Sequence, residues 1–439
     1  MNSASNLSDE QHNLINKVKK YLKEQNKFKF NTFDSSVCYF STFSDLPGYA
    51  QLKLWHNFKK NFFFFLKVNF KNILGTLYIK TYKIKNNKNL KKIKFKNLII
   101  TWGDKESFDV NGSFYDKYFN VNSNENKETL WFIIFSGRRI PKKISKNCAI
   151  FYEVKKKFSY IKIFIILKNI LSIKNLYHKQ SVMTEYSYSI LSEIKKILNK
   201  NFVRILMPYE GQPFQNTIFY LSKKIIKKIK TIGYVHSFPI ALPLNFIFRQ
   251  GSPDNLIVNG YDQYLCMKKY LGWKSKRIDI LQSLRFSGLR KMNGFIYLPY
   301  QISSEKIILS SLRKIFTNKK YFQYSYLKIK NHPLRTKSQI HIKLTNKIKN
   351  YLYNYDKKVI PDFSIFIGGT GSIIEALEVG SKVIHISSNP LFEIYSTKLW
   401  SNIKIKKIDE FIFEYSLIKQ SQLIKFNYGK SYFEKYINL

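Results

Sequence analysis

Residues 363–380 read FSIFIGGTGSIIEALEVG. A β-rich apolar run, Phe363 to Ile367, passes through Gly368, Gly369, Thr370 and Gly371 into Ser372 and a helical stripe of Ile373, Ile374, Ala376 and Leu377. A strand that turns through glycines straight into a helix marks an α/β unit. Two uses of the turn stay open. A helix start exposes unpaired N–H groups and the positive end of its dipole, which is how proteins hold phosphate. Ser372 and Glu375 also form S-x-x-E, a capping box that engages both side chains in helix initiation alone. The stretch is not a Walker loop, because no Gly-Lys-Ser/Thr follows. Nor is it a dinucleotide fingerprint, because Ile374 stands where the last glycine belongs.

Working outward, short continuous apolar runs recur on both sides. After a Pro- and Gly-rich break at 237–255 come 256–258, 294–299, 324–330 and 382–387, with helical segments near 303–316 and 340–355. Before the break lie 97–101, 130–135, 161–166, 202–207 and 231–235, and 214–230 carries a helical apolar stripe. Runs of this kind suit strands covered on both faces. The pattern predicts an α/β protein of two doubly wound Rossmann-like domains facing each other across a cleft. The break places them at 1–245, with a helical, basic N-terminal extension, and 246–439. Ligands of such sheets bind beyond the carboxyl ends of the strands.

The chain of 439 residues carries 75 Lys and Arg against 28 Asp and Glu, a formal charge of +47, with 44% hydrophobic and 17% aromatic residues. That much apolar surface excludes a disordered chain. The charge draws polyanions or an anionic lipid surface. Lys, Asn, Ile, Phe and Tyr are raised together, however, as A+T-rich coding produces, so solvated surface accounts for much of it. No zinc-finger, RNP or helix-turn-helix signature accompanies the charge, and no specific nucleic-acid partner is expected. Cys38, Cys148 and Cys266 are far apart and form no CxxC pair, which suits a reducing cytosol. The first 25 residues read as a polar amphipathic helix without the apolar core of a signal peptide. Segment 61–79 is the most apolar, but Lys67 and Lys71 interrupt it. It reads equally as a buried helix or as one lying in an anionic lipid interface. Residues 83–97 read as a basic surface loop.

Three further features carry chemistry. In KIKNHPLR (328–335) a lysine-rich strand ends at His332, and Pro333 holds that residue extended, with Lys328, Lys330 and Arg335 close by for a phosphate. In LMPYEGQPFQN (206–216) Glu210 precedes Gly211 at a strand end, where a carboxylate can take a proton from an attacking hydroxyl. Capping or salt bridging is the alternative for Glu210. His236, in GYVHS (233–237), ends another strand and faces either the cleft or the core. No Asp-x-Asp sequence occurs, so no metal and no other cofactor is expected.

The order Tyr209-Glu210-Gly211, His332-Pro333 and Thr370-Gly371-Ser372 resembles bacterial glycosyltransferases of the GT-B fold. It is most similar to the CMP-sugar-dependent sialyltransferases and Kdo transferases of surface polysaccharide synthesis. The resemblance spans about half the chain and implies Glu210 as general base and His332, with Thr370 and Ser372, on the CMP phosphate. Pro333, Gly369 and Gly371 would complete the nucleotide site, and Glu375 would take the ribose. Tyr209, Gly211 and His236 would face the acceptor. This chain has one acid where that family usually has two, and Gly371 separates hydroxyls that are usually adjacent. The implied activity is inverting, metal-independent transfer of a sialic-acid- or Kdo-type sugar to a hydroxyl of a surface or lipid-linked glycan. The basic surface and the 53–80 segment, for their part, point to a cytoplasmic protein in peripheral contact with the inner membrane face. A UDP-sugar donor, a CDP-alditol phosphate transfer and a non-catalytic polyanion-binding protein are the alternatives.

Overall fold

The computed structural model describes residues 3–25, 77–86, 90, 93–137, 139–160, 163–164, 182–197, 202–286, 291–318, 327–353, 360–426 and 432–439. The first unit comprises α1 (Ser3–Gln25), β1 (Tyr78–Asn86), β2 (Asn97–Gly103), the short hairpin β3 (Tyr115–Asp116) and β4 (Val121–Asn122), β5 (Thr129–Phe135), β6 (Cys148–Phe158), α2 (Val182–Ile197), β7 (Arg204–Pro208), α3 (Pro213–Ile225), β8 (Lys230–Tyr234), β9 (Asn255–Val258), α4 (Tyr261–Lys269) and β10 (Ile278–Ile280). The second comprises β11 (Phe295–Tyr297), α5 (Glu305–Thr317), β12 (Lys328–Lys330), α6 (Gln339–Tyr353), β13 (Phe363–Ile367), α7 (Ser372–Glu378), β14 (Lys382–Ile386), α8 (Pro390–Glu393), β15 (Ile403–Asp409), β16 (Ile412–Leu417) and α9 (Phe433–Ile437).

Eight strands form one sheet in the order β1-β6-β5-β2-β7-β8-β9-β10, and six form another in the order β12-β11-β13-β14-β16-β15. In the first sheet β1 is antiparallel to β6 and the rest run parallel. In the second, β11 to β14 run parallel and β15–β16 close the edge antiparallel. The protein is thus a pair of Rossmann-like α/β domains, the expected fold class. Every residue of β5 and of β13 is buried, as continuous apolar runs demand.

The division at 245/246 is corrected by the sheet order. Strands β9 and β10 pair with β8 in the first sheet, so the change of sheet falls between Ile280 and Phe295. The Pro- and Gly-rich stretch 237–255 is not a linker. It joins β8 to β9, is largely buried, and owes its composition to tight turns such as Gly251 at φ 87°. The two chain ends cross over. Gln11 of α1, fully buried, donates to the carbonyls of Leu391 and Ile394 at 2.9 and 2.8 Å in the second unit. Phe433 and Tyr436 of α9 pack on Trp131 and Tyr234 of the first.

Residues 83–86 are strand rather than loop. Tyr82 and Ile84 pack on the core while Lys80 and Lys83 face water, the lysine alternation of a protected edge strand. The strand expected at 161–166 lies largely outside the described residues, as does segment 61–79 as far as residue 76. Cys148 and Cys266 are free and buried, and Cys38 lies outside the described residues. Among the described residues no helix is long and apolar enough to cross a membrane.

Candidate active site

Beyond Pro208, the end of β7, the chain turns through Tyr209, Glu210 and Gly211 before α3. The buried side chain of Gln215 stands in for backbone in this turn. Its Oε1 accepts from the N–H groups of Glu210 (3.0 Å) and Gln212 (3.1 Å), and its Nε2 donates to the Pro208 carbonyl at 2.7 Å. Gly211 sits at φ 68°, and a Cβ there would lie 2.2 Å from the Asn245 carbonyl oxygen, so only glycine fits. Asn245 donates its side-chain amide to the Glu210 carbonyl. Arg249, 4% exposed, donates Nη2 to the Gly211 carbonyl at 3.1 Å and Nη1 to the Asn245 carbonyl at 3.3 Å. The 237–255 stretch therefore braces the turn that carries the carboxylate.

The Glu210 side chain is 41% exposed. Gln212 donates its amide to Oε2, and His236 Nε2 stands 3.5 Å from Oε1. Desolvation by the surrounding protein raises the Glu210 pKa, against the Gln212 hydrogen bond and the charge of Arg285. That direction is the one a general base needs. His236 is 3% exposed, and burial, helped by Arg285, lowers its pKa to about 3. Its ring takes the edge-to-face contact of Tyr118 at 4.7 Å. Tyr118 rides on the β3–β4 hairpin, where fully buried Asp116 accepts from the N–H groups of Tyr118 (2.8 Å) and Phe119 (3.2 Å). Burial pushes the Asp116 pKa up to about 7. Tyr209 is corrected from a cleft residue to a core residue. It is 1% exposed and bonds Asn216 at 2.7 Å, because its N–H still pairs with the Tyr234 carbonyl and its side chain continues the core face of Ile205 and Met207.

In the second domain the glycine turn hangs on β14. His385, fully buried, places Nε2 2.8 Å from the Gly368 carbonyl and Nδ1 3.0 Å from the Tyr415 hydroxyl. A carbonyl only accepts, so Nε2 carries the proton and Tyr415 donates to Nδ1. Burial lowers the His385 pKa to about 4, which keeps it neutral. The Tyr395 hydroxyl reaches the Thr370 carbonyl (3.3 Å) and, across the domain boundary, the Pro239 carbonyl (3.1 Å). Trp400 donates to the Ala241 carbonyl at 2.8 Å. A Cβ at Gly371 would lie 2.9 Å from the Phe238 carbonyl oxygen, so this glycine permits the close approach of the two domains' loops.

The Ser372/Glu375 capping box does not form. The helix begins at Ser372 itself, with Gly371 as an N-cap that makes no side-chain bond, one residue too late for Ser372 to cap. Thr370 Oγ1 accepts from the Ser372 N–H at 3.3 Å instead. Because α7 is only 7 residues long, its dipole supplies less to a phosphate than the sequence pattern promised. Positive charge comes from elsewhere. Burial raises the Glu375 pKa while Arg285 and Lys330 oppose it. The charge of Arg285 acts on Glu210 as well, and so on the acids of both domains. Sequence reasoning missed it, since it follows β10, a strand of three residues.

His332 follows β12, and Pro333 opens a 3₁₀ turn to Arg335. Its ring meets Tyr300 edge-to-face at 5.2 Å. Arg335 lies 3.9 Å over the same Tyr300 ring and donates Nε to the Tyr300 carbonyl at 3.1 Å. Burial first, then the charges of Arg335 and His341, lower the His332 pKa. Tyr300, Pro299, Gly369, Glu393 and Ile240 of the first domain line a pocket of about 50 Å³. His332 and the glycine turn thus meet through Tyr300, at the carboxyl ends of neighbouring parallel strands. Among the described residues no three His, Cys, Asp or Glu side chains cluster to hold a metal ion.

No family model matches the chain, and no curated protein matches it. Among solved structures it is similar to α,α-trehalose 6-phosphate synthase from Burkholderia multivorans. The TM-score is 0.31 and the identity 9%, over 60% of this chain and 68% of that one. A likeness of that size carries no argument about function.

Proposed function

We propose that the protein is a glycosyltransferase, taking a nucleotide-activated sugar on the second domain and an acceptor hydroxyl on the first. The observation that carries this reading is Glu210: a part-exposed carboxylate with a raised pKa, fixed on a braced turn at the carboxyl edge of one sheet, with the glycine turn of the other sheet packed two residues beyond its neighbour His236. Glu210 takes the proton of the acceptor hydroxyl as its oxygen attacks the anomeric carbon, and the nucleotide phosphate leaves from the opposite face, inverting the centre. His332, Pro333 and the turn from Gly369 to Ser372 hold that nucleotide, Glu375 takes its ribose, and Arg285 offsets the charge developing on the phosphate. The donor is read as a CMP-linked sugar of sialic-acid or Kdo type, and the acceptor as a surface or lipid-linked glycan at an anionic membrane face.

The test combines thermal shift with turnover. CMP should raise the melting temperature more than UDP or CDP does, by an amount set by its affinity. Glu210→Gln should keep that shift and lose roughly 10²–10⁴-fold in CMP release from CMP-sialic acid or CMP-Kdo. Wild-type turnover in the variant removes Glu210 from the mechanism, and indifference to all three nucleotides removes the donor site.

A further inference from the structure

We propose that His236 is the positioning residue of Glu210: a neutral imidazole that donates Nε2–H to Oε1 and so fixes which lone pairs of the carboxylate face the cleft. The inference rests on Glu210 as the working carboxylate, but its test needs no sugar.

Three observations carry it. First, Nε2 and Oε1 stand 3.5 Å apart, a gap that a small rotation of Glu210 closes to a hydrogen bond. Second, His236 Nδ1 is buried with no hydrogen-bond partner. A proton on Nδ1 would leave a buried N–H unpaired, whereas a proton on Nε2 meets a carboxylate, so the tautomer is decided by what surrounds the ring. Third, the ring cannot turn freely. Tyr118 packs edge-to-face on it at 4.7 Å, and Tyr234 lies at 6.4 Å.

The titratable groups against the ring are Glu210, Tyr118 and Tyr234, and the charge of Arg285 also acts on it. The cation opposes imidazolium, and burial opposes it more strongly. Both Glu210 oxygens are therefore approached by neutral donors, His236 at Oε1 and the Gln212 amide at Oε2. Neither donating nitrogen can take up a further proton there. The proton abstracted from an acceptor stays on the carboxylate, on a lone pair that these two donors leave open to the cleft.

With 7 histidines in the chain, ¹⁵N-histidine labelling resolves the ring directly. The signals lost in His236→Asn should report the Nε2–H tautomer, unchanged from pH 8 to pH 5, and should shift in Glu210→Gln. In ¹³C-carboxyl spectra, His236→Phe should raise the Glu210 titration midpoint by about 0.5–1 unit, since a donor to the ionised form is lost. An Nδ1–H tautomer, or a ring that titrates between pH 6 and 7, overturns the proposal. So does a Glu210 midpoint that stays put in a folded His236→Phe protein. Should that variant fail to fold, the wild-type tautomer decides alone. Failure of Glu210 as the catalytic base would appear in turnover and leave these spectra as they are.

Discussion

The turn at 208–216 and the turn at 368–372 occupy equivalent places, each at the carboxyl edge of a parallel sheet, yet they are held by different chemistry. The first is braced by Gln215, Asn245 and Arg249, two amides and a guanidinium of its own domain. The second hangs on His385 and Tyr415 and is tied through Tyr395 to Pro239 of the other domain. Amide bracing yields a turn indifferent to protons and to how the domains sit. An imidazole and a shared hydroxyl yield one that responds to both.

The sharpest break would come at Gly211. Alanine there must adopt a left-handed backbone, costing roughly 1–2 kcal/mol, and its Cβ would also press on the Asn245 carbonyl at 2.2 Å. Gly211→Ala should therefore lose more than about 2 kcal/mol in urea unfolding. A variant as stable as the parent would show that the brace yields, and the first turn would no longer count as the rigid one.

Tyr395→Phe probes the other side. It removes a buried hydroxyl serving the Thr370 and Pro239 carbonyls, and should cost about 1–3 kcal/mol. If the two turns are independent, the double variant with Gly211→Ala should be additive within about 0.5 kcal/mol. A larger coupling would mean that strain in one turn reaches the other through Phe238 and Gly371.

What could be read ahead of the structure was local. The runs that became β2, β5, β7 and β13 are mostly apolar and those of β8 and β14 hold short apolar stretches, and burial on both faces writes itself into such runs. The edges were not legible. β1 and β15 intersperse lysine with apolar residues and the exposed second half of β6 carries three lysines in a row, which resembles charged loop until a partner strand is seen, and β10 has only three residues. Glu210, His332 and the glycine turn announced themselves by spacing. Their supports did not, because Arg249 acts over 38 residues of chain and Tyr395 over 156, and no periodicity reaches so far. Tyr209 misled for a local reason: adjacency to Glu210 says nothing about side-chain direction, and Tyr209 keeps to the core face of Ile205 and Met207 by strand alternation.

The finest test of the contrast is pH. His385 has a folded pKa of about 4, against about 6.5 in an unfolded chain. The unfolded state binds the extra proton between those values, so the stability this group supports is complete above about pH 6.5 and is lost as pH falls toward 4. Between pH 7 and pH 5 the loss should be roughly 1–2 kcal/mol at most. His236 works in the same direction, while Asp116, raised to about 7, loses its contribution as pH climbs from about 4 to 7. The wild-type curve is the sum of these, and only a difference curve isolates one. Gln at 385 can still donate to the Gly368 carbonyl and accept from Tyr415 without titrating, so urea midpoints of His385→Gln, less those of the wild type, should rise as pH drops from 7 to 5. A flat difference would mean that the second turn ignores the proton as fully as the first, and the distinction between amide and imidazole bracing would then have no thermodynamic content.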